Sequence, residues 1–124
     1  MNTTEQPRLY SADLTGCTAL STLSSDAIRA AFIGALERAG ATIVERVSHD
    51  FPDAGLTCTL ILAESHATLH TWPETGTINL DIFCCSTRLD SHAAINELAR
   101  AFGAAGVTIQ TVLRTDGRRA TQPA

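Results

Sequence analysis

Between residues 64 and 74 the chain reads Glu64-Ser65-His66-Ala67-Thr68-Leu69-His70-Thr71-Trp72-Pro73-Glu74. Eleven residues thus hold a serine hydroxyl nucleophile, two imidazoles and two carboxylates. If Ala67–Trp72 is extended, His66, His70 and Trp72 share one face while Leu69 points the other way. An imidazole, an indole and a following carboxylate on one face suit a site better than a packed core. Other readings of the same residues exist. Ser65 beside a histidine invokes a hydrolase nucleophile, but the strand–elbow–helix context of that chemistry is absent. His66, His70 and Cys84 or Cys85 suggest a zinc shell, but adjacent cysteines seldom ligate one tetrahedral ion and no C-x-x-C spacing occurs. Taken singly, Ser65 is also an ordinary strand-end hydroxyl, Glu74 a solvated turn residue, Phe51 a cover for the core edge and Cys85 a packed thiol.

The elements that must position these residues follow from pattern. Arg8–Leu14 reads as a short strand. Ser24, Ser25 and Asp26 offer N-cap chemistry before a helix over Ala27–Arg38, where Ile28, Ala31, Phe32, Ala35 and Leu36 recur at three-four spacing and Gly40 stops it. Strands are expected at Ala41–Val47, Leu56–Ala63, Ala67–Trp72, Ile78–Cys84 and Val107–Leu113. A turn-rich loop surrounds Pro52, Asp53 and Gly55, a turn covers residues 73–76, and Asp90 or Ser91 caps a second helix running to Phe102. His49 and His92 are assigned only to loop and helix surface, and Cys17 and Cys58 to packing. The order predicts an α+β fold: a two-layer α/β sandwich, a mostly antiparallel sheet with two helices on one face. The opposite face must be solvated, covered by a partner, or used for a site.

Composition narrows the function further. With 124 residues, 44% hydrophobic and 18% charged, the chain has the makeup of one globular domain over 1–124. A net charge of −4 and arginines scattered from Arg8 to Arg119 give no phosphate-binding surface, so nucleic acid is not an expected partner. The first eight residues have neither a basic lead nor an apolar segment, and no apolar run approaches spanning length, so a cytoplasmic location away from membranes is expected. Four cysteines then read as thiols and not as a disulfide framework. There is no lysine. Pyridoxal phosphate enzymes hold their cofactor on a lysine, so amine chemistry here needs another electron sink.

The run Glu-Ser-His, then Thr-x-His-Thr-Trp-Pro-Glu, then Asp-x-Phe-x-Cys resembles the short prokaryotic S-adenosylmethionine decarboxylase proenzymes. The stretch Gly40–Val44 and the His49 and Phe51 positions look similar too. The resemblance implies self-cleavage between Glu64 and Ser65 into chains 1–64 and 65–124, with Ser65 converted to a covalent pyruvoyl cofactor. That ketone takes the place of a lysine-bound pyridoxal. By the same resemblance, His70 serves processing as a proton donor or base, Cys85 protonates the product carbon, and Thr57 stands where a serine commonly assists cleavage. Phe51 matches an aromatic that stacks on adenine, and Glu74 a carboxylate suited to ribose hydroxyls. Asp13 departs from an expected glutamate. The implied substrate is a small cationic amino-acid type, S-adenosylmethionine first and arginine or ornithine as alternatives, on the route to polyamines. The implied assembly is a homodimer of cleaved protomers, with no resident metal. An uncleaved, non-enzymatic binding domain is the reading from a different class.

Overall fold

The structure is a computed structural model that describes residues 6–118. It has eight elements: β1 (Arg8–Thr15), α1 (Ser25–Arg38), β2 (Ile43–Asp50), β3 (Leu56–Leu62), β4 (Ser65–Trp72), β5 (Thr77–Cys84), α2 (Ser91–Ala101) and β6 (Gly106–Leu113). The strands form one sheet in the order β2-β3-β4-β5-β1-β6, and every neighbouring pair is antiparallel. The expected α+β sandwich is therefore observed. The first five and last six residues lie outside the described range.

Each helix starts where its capping chemistry stands. The Ser24 hydroxyl oxygen accepts from the Ala27 backbone N–H at 3.1 Å, and an Asp90 carboxylate oxygen accepts from Ala93 at 3.0 Å. Ile28, Phe32, Ala35 and Leu36 of α1, with Ala94, Ile95 and Leu98 of α2, fill the layer between helices and sheet. From the sheet they meet Ala12, Leu14, Cys58, Leu60, Ala67, Leu69, Ile78, Leu80 and Ile82. Burial pushes the thiols of Cys17 and Cys58 above their ordinary range, which suits packing residues. Gly40 follows α1 at φ +109°, and a Cβ there would stand 2.2 Å from the carbonyl oxygen of Arg88. With Asp90 N–H donating to Ala39 O at 2.9 Å, the end of α1 pins the loop that carries Cys85 and Arg88.

Among the described residues no helix covers the other sheet face. Strand alternation puts Leu9, Val47, Ile61, Trp72, Phe83 and Val112 on it. Four of these, Val47, Ile61, Trp72 and Val112, are among the exposed large hydrophobics. Several boundaries shift by one to three residues from expectation, and two of these shifts have a clear local reason. Strand β2 runs three residues past Val47 because Ser48, His49 and Asp50 keep pairing with Cys58, Thr57 and Leu56. His49 is therefore a strand residue and not a loop residue. Strand β4 starts at Ser65 because Ser65 pairs with both Leu62 and Cys84.

Candidate active site

Leu62 and Ser65 pair directly, so Ala63 and Glu64 are the two loop residues of a tight hairpin. The Glu64 side chain is only 2% exposed. Its Oε1 accepts from Thr42 N–H at 3.0 Å, and Arg88 Nη2 lies 3.9 Å from Oε2. The Ala63 N–H donates to Thr42 O at 2.9 Å. This buried clamp leaves Ser65 at φ +152°, a region that costs a non-glycine residue about 1–3 kcal/mol. Across the loop, the Cys85 thiol donates to the Glu64 carbonyl oxygen at 3.4 Å. The Glu64–Ser65 peptide thus combines a strained backbone, a carbonyl with a donor on it, and a hydroxyl carried on the Ser65 Cβ. Those are the ingredients for a serine to attack its own preceding carbonyl.

A second cluster lies at the other end of β4, on the helix-free face. Register aligns one residue from each strand in a row: His49, Thr57, His70, Asn79, Asp13 and Thr108. Thr57 Oγ1 and His70 Nδ1 are 2.8 Å apart. That contact holds the imidazole plane and leaves Nε2 for a proton transfer. The Asn79 amide donates to Asp13 Oδ1 at 2.8 Å and accepts from the Trp72 indole N–H at 2.6 Å. Trp72 is 52% exposed yet held at its nitrogen. Phe51 sits in the loop after β2, where its N–H donates to Gly55 O at 2.8 Å. Its ring, 45% exposed, meets His49 edge to face at 4.6 Å. Glu74 is exposed in the turn between β4 and β5.

The two clusters are far apart. Five strand residues separate Ser65 from His70, about 16 Å, and seven separate it from Trp72, about 23 Å. Ser65 also falls on the strand parity of Ala67 and Leu69, which face the helices, whereas His70 faces the open side. The structure brings Glu64, Ser65 and Cys85 together and brings Thr57 and His70 together. Phe51 and Glu74 lie at the second end, and among the described residues nothing closes the gap. His66 and His70 share the open face as expected, but four residues, about 13 Å, separate them, too far to share one ion. Among the described residues no cluster of three or more metal-ligating side chains occurs. Asn79, Arg88 and Thr42 are residues that sequence reasoning missed. Asn79 could have been found by aligning the strands, since it is opposite His70, and Thr42 lies within the Gly40–Val44 stretch already singled out, while Arg88 has no sequence signal.

Known proteins give this geometry a family. A family model described as S-adenosylmethionine decarboxylase matches residues 8–115. The S-adenosylmethionine decarboxylase proenzyme of Acidithiobacillus ferrooxidans is 40% identical over 95 residues, which is 76% of this chain and 71% of that one. That of Clostridium kluyveri is 32% identical over 103 residues, 83% of this chain and 82% of its own. The crystal structure of the adenosylmethionine decarboxylase from Aquifex aeolicus superposes with a TM-score of 0.80, covering 95% of this chain and 98% of that one, at 24% identity. Among the described residues no helix is long and apolar enough to cross a membrane. The family match over residues 8–115 and these relatives establish that the chain belongs to the S-adenosylmethionine decarboxylase family.

Proposed function

We propose that the chain cleaves itself between Glu64 and Ser65 and, as the cleaved enzyme, decarboxylates S-adenosylmethionine in the cytoplasm. The observation that carries this reading is the Glu64–Ser65 peptide, with Ser65 at φ +152° and the Cys85 thiol on the Glu64 carbonyl oxygen. In the processing reaction Ser65 Oγ adds to the Glu64 carbonyl carbon, and Cys85 donates to the oxygen as charge builds on it. Collapse breaks the C–N bond and leaves an ester, relieving the backbone strain. Loss of the Ser65 α-proton then expels the Glu64 carboxylate as a new C-terminus. Water replaces the nitrogen, ammonia leaves, and a pyruvoyl group remains at residue 65. The serine, the strained turn and the donor fit that group, and the lysine-free sequence fits an electron sink built from the chain itself. Once formed, the group supplies a ketone for the substrate amine and a sink for the electrons left by carbon dioxide. Cys85, already beside residue 65, is placed to return a proton to the substrate carbon.

The His70 end completes the site from a second copy. A proton-transfer group about 16 Å away does nothing at Ser65. Packing two helix-free faces together about a two-fold axis, lying between the sheets and across the strands, sets the Ser65 end of one copy over the Trp72 end of the other. It also covers Val47, Ile61 and Val112 and brings Arg114 at the first end toward Asp13 and Glu74 at the second. In this homodimer Thr57 orients His70 for processing in the partner. Phe51 and Trp72 wall the adenosyl group, and Glu74 takes the ribose hydroxyls.

Intact mass of the denatured protein tests cleavage: two chains meeting at Glu64 and Ser65 are expected, the second blocked to N-terminal sequencing. Co-expression tests the shared site. Ser65→Ala and His70→Ala are each expected inactive. Random pairing makes half the dimers mixed, each with one intact site of two, so about a quarter of wild-type activity returns. No recovery in verified mixed dimers would reject the shared site and leave cleavage untouched.

A further inference from the structure

His66 and Phe83 face each other across β4 and β5 on the helix-free face. Their rings are within 9° of parallel, with centroids 5.6 Å apart. Arg114, just past β6, holds its guanidinium carbon 5.7 Å from the centre of the same Phe83 ring. The strand order brings His66 to the ring from the β4 side and Arg114 from the β6 side. Arg114 is fixed in turn: its N–H donates to Pro7 O at 2.8 Å and its carbonyl accepts from Gln6 Nε2 at 3.2 Å. The column does not belong to the core between helices and sheet. It also stands apart from the hydrogen bonds that hold the Glu64–Ser65 peptide.

Its position acquires a meaning once the chain is cut, an argument that rests on the self-processing reading above. In the intact chain residue 65 is tethered on both sides, by Glu64 and by His66. After cleavage it hangs from the His66 nitrogen alone, and a chain end frays unless something ties it down. The acyl group on that nitrogen must nevertheless be held in one orientation, because a shift of about 1 Å at a reacting group costs up to a hundredfold in rate. We propose that the Arg114–Phe83–His66 column is the clamp that replaces the lost tether. His66 and Phe83 are then positioning residues for turnover and not for cleavage. An aromatic stack and a cation over the ring together favour the docked end on the order of tenfold.

The test compares cleaved and uncleaved protein by hydrogen exchange of the segment 66–69, alongside cleavage and steady-state kinetics. Phe83→Ala is expected to cleave to completion while kcat falls about tenfold and KM moves little. Exchange at 66–69 should rise about tenfold in the cleaved Phe83→Ala protein and hardly at all when Ser65→Ala keeps the chain intact. His66→Phe, which preserves a stack without an imidazole, should keep protection and turnover within about threefold, whereas His66→Ala should lose both. Light scattering confirms that each variant keeps the wild-type assembly. Where Phe83→Ala does not fold, Arg114→Gln serves the same comparison with an expected rise of about threefold. Equal loosening in cleaved and uncleaved chains, or His66→Phe as impaired as His66→Ala, overturns the clamp. A wild-type chain that stays in one piece is seen before any variant is made, and that result overturns the cleavage reading itself.

Discussion

At the Ser65 end of β4 the chemistry is held by the backbone: a tight hairpin, a glutamate buried against Thr42, and a thiol reaching one carbonyl. Seven residues later, at Trp72, the same strand presents exposed side chains joined to one another, with Thr57 on His70 and Asn79 between Trp72 and Asp13. The first end is organised for one bond of its own chain. In the reading proposed above, the second is organised for something that arrives from outside, a partner's peptide and then a substrate. The difference teaches why a reactive strained peptide and a base can coexist while the chain folds. Separated by about 16 Å within a copy, they meet only on assembly in the arrangement proposed here.

Several substitutions would sharpen or break that division, and they are ordered by size. Ser65→Ala should abolish both chain cleavage on a denaturing gel and carbon dioxide release; residual decarboxylation would remove the cleavage end from the chemistry. Cys85→Ala removes the donor on the Glu64 carbonyl. Cleavage should slow but proceed, while turnover of whatever is cleaved falls about a hundredfold. Loss of cleavage with normal turnover per cleaved chain would mean its role is confined to processing. Glu74→Gln acts at the other end, where cleavage should be untouched and KM for S-adenosylmethionine should rise about tenfold with kcat little changed. A cleavage defect there would show that the two ends are not separable. Thr57→Ser is the smallest change. Keeping the hydroxyl but freeing its rotamer, it should alter the cleavage rate by about threefold or less, with faster processing expected. A large loss in a time course of cleavage would show that the threonine methyl positions His70 through packing.

Much of this was legible in the residues. Three-four spacing and capping groups placed both helices within two residues at their starts, and the alternation of Leu56, Cys58, Leu60 and Leu62 named the buried face of β3. The motif from Glu64 to Glu74 supplied the family that residues 8–115 match. Closeness along the chain misled on one point. Eight of the eleven residues that read as one cluster, Ser65–Trp72, form an extended strand, whose rise of about 3.3 Å per residue carries its ends apart. His49 was assigned to a loop because Ser48, His49 and Asp50 have no strand-forming pattern of their own; they are held extended by pairing with β3.

The sequence by itself determined the elements, the chemistry available at Ser65 and the need for a sink other than lysine. These depend on local spacing and on which functional groups the residues carry. Tertiary structure alone decided the strand order, and with it which side chains face one another. Thr57 reaches His70 across 13 residues of chain, and Asn79 reaches Asp13 across 66, because antiparallel register puts them opposite. Tertiary structure also decided that Arg88 and Thr42 close around Glu64, and that among the described residues one sheet face is left without a helix. Long-range pairing selects such contacts through the packing of the whole core, and no short stretch of residues carries that information.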